Sequence, residues 1–226
     1  MLDIVQGSPE WHSLRVGKVT ASRVADVVAR TKSGWSASRA NYMAELVVER
    51  LTGQPAESFT TPAMQWGIDT EAEARLAYEV FTNATVYPAG FVPHHSIANC
   101  GASPDGFVGE DGLVELKCPN TATHIDTLLG QTVPAKYVTQ MLWQMACTGR
   151  QWCDFVSFDP RLPDSMQLYI ERVKRDDDRI KELERDVADF LNELEMKVAA
   201  LRQKYEGTND NAELLKNRLV QSVMAG

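Results

Sequence analysis

Two carboxylates and an amine, Asp105, Glu115 and Lys117, have the types and spacing that phosphodiester hydrolysis would require. This reaction needs a hard divalent cation that neutralises phosphate charge and lowers the pKa of an attacking water, and such cations prefer oxygen ligands. Asp105 and Glu115 could each supply a carboxylate oxygen, and the main-chain carbonyl of Leu116 is a third candidate ligand. Lys117 could position the hydroxide or neutralise charge that develops on the phosphate. The pattern predicts a magnesium-dependent nuclease, although Asp-Gly turns and Glu-x-Lys strands also arise by chance.

The surrounding sequence predicts a strand that would hold two of these groups rigidly. Residues 113–117 alternate between apolar and polar side chains, and they follow two segments typical of turns, 103–106 and 110–112. In a strand, Glu115 and Lys117 project to one face, while the residues between and before them project to the other face, into a hydrophobic core.

A helix predicted over residues 67–81 carries a third acid, Glu71. Acids in its first turn suit the helix dipole, and Glu71 begins a stripe that continues through Ala74, Tyr78 and Phe81. A carboxylate aimed into an apolar stripe is costly unless it meets a cation, so Glu71 could serve a second metal or pair with the strand lysine. A solvated acid in the first helical turn is an equally good interpretation.

A second helix, predicted over residues 134–147, places two amides on one side, Gln140 and Gln144. An amide can hold a water, a phosphate oxygen or a lysine in place. For Gln144, a polar surface stripe is the better interpretation, whereas Gln140 is a candidate for the active site.

Together these segments resemble the active-site series of the PD-(D/E)XK nuclease superfamily. The matching residues are Glu71, Pro104-Asp105, Glu115-Leu116-Lys117 and Gln140. A narrower resemblance, to the phage lambda exonuclease family of viral recombination nucleases, rests on segments that occur in the family's order within residues 5–175. These segments are 10–15, 20–22, 66–71, 103–106, 113–119 and 158–161.

The resemblance implies an enzyme that digests one strand of linear duplex DNA from its 5′ end. It would leave a 3′ single strand for a single-strand annealing recombinase, and it would form a homotrimeric ring that threads DNA through a central channel. The resemblance makes Asp105 and Glu115 ligands of Mg2+, Lys117 the catalytic lysine, Glu71 a further acid and Gln140 a positioning amide. We expect one or two Mg2+ ions, for which Mn2+ could substitute, and in-line attack of an activated water beside the 5′-terminal nucleotide.

The same resemblance assigns Arg15, Ser22 and Ser103 to a pocket for the 5′-terminal phosphate. Residues 8–9, Ser-Pro, predict a short helix that carries Arg15, and a second helix beginning near Thr20 would place Ser22 in its opening turn. Free N–H groups at a helix start bind anions, and a hydroxyl with a guanidinium would complete the pocket. Without the resemblance, a helix cap and a surface charge would be the favoured interpretations of Ser22 and Arg15.

The net charge of −8 is unusual for a DNA enzyme, because affinity for duplex comes largely from basic surface. Between residues 11 and 40, however, six basic residues stand against one acid, Asp26, which gives a local balance of +5. A ring could point this segment inward. Residues 31–36 could form a mobile arm that touches the DNA backbone through Lys32 and Trp35 or wedges the two strands apart, although Trp35 could instead pack on a neighbouring subunit.

The order of predicted elements, helix, strand pair, helix, strand pair, helix, indicates an α/β or α+β domain with a mixed sheet flanked by helices. It agrees with the restriction-endonuclease-like fold that the resemblance implies. Residues 1–175 would form the nuclease core, including antiparallel strands over 154–158 and 166–173.

Residues 176–226 are predicted to form a helical extension packed on that core. Apolar residues from Ile180 to Tyr205 recur at spacings of three and four, which indicates one long amphipathic helix. A break at 207–211 would separate it from a short terminal helix at 214–220.

Composition favours an enzyme of one domain in the cytoplasm, and the resemblance implies a bacterial cell and a gene carried by a phage or prophage. With 226 residues and 44% hydrophobic content, the chain can bury a sizeable core. No apolar run is long enough to span a membrane, and no signal-peptide pattern is present. The four cysteines lack C-x-x-C spacing, so we expect reduced thiols, and for His94 and His95 an exposed or structural role is favoured over a role as metal ligands.

Two other functions remain open from the sequence. A structure-selective or sequence-specific endonuclease of the same superfamily would keep Asp105, Glu115 and Lys117 but need no pocket for a terminal phosphate. A non-catalytic DNA-binding protein would keep the fold without metal-dependent turnover, and the intact acid-acid-lysine set argues against it.

Overall fold

The computed structural model describes residues 5–56 and 61–206 of the chain. Its helices are α1 (Pro9–Arg15), α2 (Val24–Val27), α3 (Ala37–Thr52), α4 (Pro62–Thr82), α5 (Thr121–Gly130), α6 (Ala135–Thr148) and α7 (Asp177–Tyr205). Its strands are β1 (Val19–Thr20), β2 (Arg30–Thr31), β3 (Gly34–Trp35), β4 (Val86–Tyr87), β5 (Val92–Pro93), β6 (Cys100–Ala102), β7 (Gly106–Val108), β8 (Gly112–Lys117), β9 (Trp152–Phe158) and β10 (Leu168–Lys174). Short 3-10 turns lie at Ala21–Arg23 and Asp164–Met166.

A five-stranded mixed sheet forms the centre of the described chain, with strand order β10-β9-β8-β7-β4. Strands β8 and β9 are parallel, whereas β9 and β10 are antiparallel, as the sequence predicted for that pair. A smaller sheet has the order β1-β6-β5, and β2 and β3 form a hairpin. The predicted architecture, a mixed sheet flanked by helices with a long helix after it, is therefore confirmed.

Strand β8 is covered on both faces. Leu113 packs with residues of α6 such as Met141, while Val114 and Leu116 pack on the opposite face in a cluster that contains Tyr78 of α4. The predicted alternation is confirmed, but the face that carries Glu115 is also buried, beneath α6. Polar groups on that face therefore need partners within the protein.

Helix α4 begins earlier than the sequence pattern suggested. Thr61 caps it by accepting a hydrogen bond from the Met64 N–H, and Pro62 occupies its first turn. Glu71 consequently lies in the third turn, so the interpretation of it as a first-turn acid is wrong. The predicted stripe ends at Tyr78, which is buried, because Phe81 is 75% exposed.

Helix α6 confirms the predicted helix at 134–147 and is the most enclosed helix of the described chain. Residues on one side, including Met141 and Met145, pack on the central sheet. Trp143 and Cys147 on the other side join a cluster formed with α2, α3 and α7. Side chains all round the second half of α6 are thus buried, whatever their polarity.

Helix α7 confirms the long helix of the sequence prediction and is capped by Asp176, which accepts from the Arg179 N–H. Its residues Val187, Phe190 and Leu194 lie in one core cluster with α2 and α3. The predicted stripe reaches solvent at its end, where Tyr205 is 55% exposed. The predicted terminal helix at 214–220 lies outside the described residues, and the division of the chain at residue 175 stays a prediction.

Three further expectations concern the chain as a whole. In the described part of the chain, no helix combines the length and the apolar character needed to cross a membrane. The four cysteines are free thiols. His94 is buried, its ring stacks on Trp143 with centroids 5.1 Å apart, and its Nε2 lies 3.2 Å from Glu184 Oε1. His94 is therefore structural, one of the two interpretations that the sequence offered.

Candidate active site

Asp105 is fixed beside strand β8 by main-chain hydrogen bonds. Its Oδ2 accepts a hydrogen bond of 2.7 Å from the Leu116 N–H, which places the carboxylate next to Glu115 and Lys117. Arg75 of α4 donates to the Asp105 carbonyl over 2.9 Å and holds the turn from the other side. The structure thus brings together the three groups on which the predicted chemistry depends.

Glu115 is completely buried and both of its carboxylate oxygens are held. Gln140 Nε2 donates to Oε1 over 2.6 Å, and Gln144 Nε2 donates to Oε2 over 2.5 Å. The Lys117 ammonium forms an ion pair with Oε1 and lies 5.2 Å from the centroid of the Tyr137 ring. The carboxylate is fixed in position and orientation by three donors.

The three charged groups are electrostatically coupled. Burial and the neighbouring Glu115 carboxylate raise the pKa of Asp105 well above its usual range, an effect to which Glu71 adds and which Lys117 opposes. Burial alone would lower the pKa of Lys117, but the nearby Glu115 and Asp105 carboxylates outweigh it and raise that pKa. The buried Glu115 carboxylate, the half-buried Asp105 carboxylate and one ammonium leave an excess of negative charge, which a cation would relieve.

The residues present fit a hydrated divalent cation. Within residues 5–56 and 61–206, no group of three or more His, Cys, Asp or Glu side chains is arranged as a full metal ligand set. Mg2+ does not require one, because it keeps several waters and is commonly held by one or two carboxylates. Asp105 and Glu115 would supply those carboxylates, and the carbonyl of Leu116 lies in the same strand segment.

The raised pKa of Asp105 predicts a stability that depends on pH. When the folded-state pKa of a carboxyl lies above its unfolded value, the folded state holds more protons, so stability falls as pH rises through that interval. The interval for Asp105 starts at its ordinary value of 3.8 and ends at the raised pKa. Without divalent cations, we expect Asp105→Asn to melt at a higher temperature than the parent above this interval, and at a similar temperature below it.

Thermal unfolding followed across pH checks this prediction. Mg2+ should raise the melting temperature of the parent protein at alkaline pH more than that of the Asp105→Asn variant. The matched control is Asp111→Asn, which removes an exposed acid from the nearby turn. An Asp105→Asn variant that is less stable than the parent at every pH would contradict the claim that the ionised Asp105 carboxylate destabilises the fold.

Glu71 lies at the edge of this group. Its side chain is 45% exposed, and its Oε1 lies 3.9 Å from Arg75 Nη2. The proposed pairing with Lys117 is wrong, because the ammonium pairs with Glu115 instead. Since Glu71 still contributes to the raised pKa of Asp105, it is near enough to influence a cation held there.

Two of the three residues predicted to bind a 5′ phosphate, Arg15 and Ser103, contact the same side chain, Trp11. Trp11 Nε1 donates to Ser103 Oγ over 3.0 Å, and the Arg15 guanidinium lies 3.9 Å from the centroid of the Trp11 ring. Ser103 is two residues from Asp105, so this group adjoins the carboxylates. Ser22 is exposed on a 3-10 turn rather than an α-helix, and no hydrogen bond links it to Arg15 or Ser103 among the described residues.

The segment that could form an arm is a β-hairpin. Strands β2 and β3 pair Arg30 with Trp35, and Lys32 lies exposed in the turn. Trp35 is held between the guanidinium groups of Arg30 and Arg39, at 3.7 and 4.1 Å from the ring centroid. It remains 44% exposed, so its surface is still available for contact.

The positive balance of residues 11–40 is partly neutralised by the fold. Arg23 pairs with Asp26 at 2.7 Å and with Glu45 at 2.9 Å. Arg39 is buried and pairs with Glu193 of α7 at 2.9 Å. The basic surface that could meet DNA is therefore smaller than the sequence count indicated.

Sequence reasoning missed Gln144 and Arg75. The expectation of a polar surface stripe is wrong for Gln144, which is fully buried against Glu115. A signal was available, because both flanking segments of α6, 141–143 and 145–147, are wholly apolar, and such a helix is enclosed on all sides. For Arg75 the spacing of four residues from Glu71 was the signal.

Comparison with known proteins decides the family. The family described as the YqaJ-like viral recombinase domain matches residues 10–151, which is more than half of the chain. This chain belongs to the YqaJ-like viral recombinase family. The matched range contains every predicted site residue, from Arg15 to Gln140. A search among curated proteins found no match.

Solved structures agree with this family. An alkaline exonuclease from Laribacter hongkongensis is 52% identical, with a TM-score of 0.83, and the match covers 88% of this chain and 99% of the exonuclease. The same exonuclease in complex with dAMP matches at 51% identity over 88% of this chain and 99% of that one, with a TM-score of 0.83. A phage-related exonuclease from Haemophilus somnus 129PT, at 15% identity, shares the fold with a TM-score of 0.68 over 81% of this chain and 96% of its own.

The resemblance to viral recombination exonucleases, drawn from the sequence motifs, is confirmed by these matches. Together they support a nuclease of the YqaJ-like viral recombinase family. The roles of single residues in the site stay predictions.

Proposed function

We propose that this protein is a magnesium-dependent exonuclease that degrades one strand of linear double-stranded DNA from 5′ to 3′. The 3′ single-stranded tails would serve a single-strand annealing recombinase. The observation that carries the proposal is the buried Glu115 carboxylate, fixed by Gln140 and Gln144 and flanked by Asp105 and Lys117. It occurs in a chain that is 52% identical to an alkaline exonuclease.

Each residue of the site would have its own role in phosphodiester hydrolysis. Asp105 and Glu115 would hold one or two Mg2+ ions, which supply charge neutralisation at the phosphate and a lowered pKa for water. Lys117 places its ammonium where negative charge develops on the phosphoryl oxygens and stabilises it. Gln140 keeps Glu115 oriented, and Glu71 adds negative charge at the edge of the site.

The complex of the related exonuclease with dAMP supports a site for a mononucleotide. A deoxynucleoside monophosphate has the composition of the unit that an exonuclease releases at each step. An endonuclease of the same superfamily would release no such unit. The relative therefore favours exonuclease action for this chain over the endonuclease alternative.

We further propose that Arg15 and Ser103 recognise the terminal 5′ phosphate. Burial lowers the pKa of the Arg15 guanidinium, so a neighbouring phosphate would stabilise its charged form. Trp11 contacts both residues and would keep them at a fixed distance from Asp105. Ser22, exposed on its 3-10 turn, would add its hydroxyl to the phosphate contacts, and the exposed Lys32 and Trp35 would make further contacts with DNA.

This recognition predicts a specific loss in an Arg15→Gln variant. The parent should digest 5′-phosphorylated duplex about 10-fold or more faster than duplex with a 5′ hydroxyl, because charge-assisted hydrogen bonds to phosphate are worth a few kcal/mol. Arg15→Gln should lose most of that preference while its rate on the hydroxyl substrate stays close to the parent's. Initial rates on the two substrates measure both effects in one assay, and an unchanged preference would discredit the pocket.

Digestion of end-labelled linear duplex tests the proposed function. With Mg2+, label at the 5′ end should be released at once as a mononucleotide, whereas label at the 3′ end should stay in long single strands. Closed circular duplex should remain intact, and chelation of Mg2+ should stop all digestion. Cutting of the circle would establish an endonuclease, and binding without cutting would establish a non-catalytic protein.

The ring proposed for this protein would explain how an acidic chain stays on DNA. A homotrimer that encloses the duplex needs little electrostatic affinity, because topology prevents release. Light scattering of the purified protein should give the mass of three chains. A trap duplex added in mid-reaction should not interrupt digestion of the molecules already engaged. If the trap stops their digestion because the enzyme moves to the trap, the duplex is not enclosed.

A further inference from the structure

Gln144 touches the proposed cation ligand from a position that the known motif does not include. The Gln144 side chain is fully buried in α6, one turn beyond Gln140. Its Nε2 donates to Glu115 Oε2 over 2.5 Å. The other oxygen, Oε1, accepts a hydrogen bond from Gln140 Nε2 and forms the ion pair with the Lys117 ammonium. Among the described residues, Gln144 is the one side chain that hydrogen-bonds to Oε2.

A thiol lies at the oxygen end of the Gln144 amide. Cys153, buried in β9, places its Sγ 3.8 Å from Gln144 Oε1 and can donate its S–H to that oxygen, and the more distant Asp154 carbonyl, at 4.0 Å, is the other acceptor within reach. Burial raises the pKa of Cys153, so the thiol keeps the proton that it donates. If the amide were flipped, its oxygen would face the Glu115 carboxylate, and two acceptors in a buried site repel each other.

We propose that Gln144 is a positioning residue that fixes Oε2 of Glu115, and that Cys153 fixes the orientation of the Gln144 amide. This inference rests on the proposed function, because it assigns Glu115 to a divalent cation. A carboxylate held at both oxygens keeps its plane and presents its remaining lone pairs in one direction. Cation binding then requires no further ordering of Glu115.

The test compares Gln144→Met, which keeps the length of the side chain but removes the donor, with the parent. Gln151→Met is the matched control, because Gln151 is an exposed glutamine beyond the end of the same helix. Partners that orient a metal ligand typically contribute 10- to 100-fold to metal affinity or rate. We expect Gln144→Met to weaken Mn2+ binding, measured by calorimetry without DNA, by about 10-fold or more. It should lower kcat by about 10- to 100-fold with little change in KM for DNA.

The cysteine supplies a second, milder pair of variants. Cys153→Ser keeps a donor toward Gln144, whereas Cys153→Ala removes it, so the serine variant should bind Mn2+ more tightly than the alanine variant. This pair decides the question if Gln144→Met does not fold. Equal Mn2+ affinity and equal kcat in the folded variants and the parent would overturn the inference.

These outcomes separate the inference from the proposed function. If the parent binds Mn2+ but does not degrade DNA, the proposed function fails, while the order of Mn2+ affinities still tests Gln144. If the parent degrades DNA and the variants match it in both measurements, the inference alone fails.

Discussion

Replacing Lys117 by methionine is expected to lower the rate of DNA digestion by about 10³-fold or more while DNA binding stays near normal. The ammonium lies at the end of β8, where it forms an ion pair with Glu115 and interacts electrostatically with the Asp105 carboxylate. Charge that develops on a phosphate in the transition state would be stabilised there, whereas the bound duplex gains little from one partly buried charge. Single-turnover digestion and DNA binding in Ca2+ separate these two effects.

Lys136 provides the control for this substitution. It is an exposed lysine whose ammonium lies 4.7 Å from the centroid of the same Tyr137 ring that Lys117 approaches. Lys136→Met removes a similar charge from the same neighbourhood and should leave the rate within a few-fold of the parent. A Lys117→Met variant that digests DNA as fast as the Lys136→Met variant would refute the catalytic role.

The substitution Glu115→Gln is expected to remove both cation binding and digestion. The change deletes the negative charge that a divalent cation would meet, and it turns an acceptor-only group into one with an amide donor. The new amide would have to face two donors, Gln140 and Gln144, and Lys117 would lose its partner. We expect a loss of about 10³-fold in rate and a melting temperature below that of the parent, because a buried ion pair is broken.

Calorimetric titration with Mn2+ measures the first consequence directly, and thermal unfolding measures the second. Glu110→Gln is the control, since Glu110 is an exposed acid in the turn that leads into β8. It should bind Mn2+ and digest DNA like the parent. Retention of parental Mn2+ affinity in Glu115→Gln would show that the cation is held elsewhere.

Much of the fold followed from local patterns in the sequence. The alternation over 113–117 and the stripe of the long helix predicted β8 and α7, because periodicity reports which face is buried. The start of α4 was misplaced, although Thr61 and Pro62 form a recognised start signal. The hairpin of β2 and β3 was not predicted, because each strand has two residues, too few to show an alternation of apolar and polar side chains.

The site was predictable in its charged groups and less so in their partners. Asp105, Glu115 and Lys117 are separated by short stretches of chain, so one hairpin, formed by β7 and β8, brings them together. The burial of Gln144 depends on elements distant in sequence, since the sheet covers one side of α6 and α7 the other. Side-chain pairing across such distances cannot be obtained from the spacing of residues along one helix.

The central claim is that Asp105 and Glu115 together hold a divalent cation beside Lys117. Anomalous diffraction from crystals soaked in Mn2+ tests it most directly, with the cation concentration chosen to support digestion in solution. We predict an anomalous peak in contact with both carboxylates and with the carbonyl of Leu116, and its loss in Glu115→Gln. An Mn2+ peak bound by other residues, in crystals of an enzyme active at that concentration, would contradict the assignment.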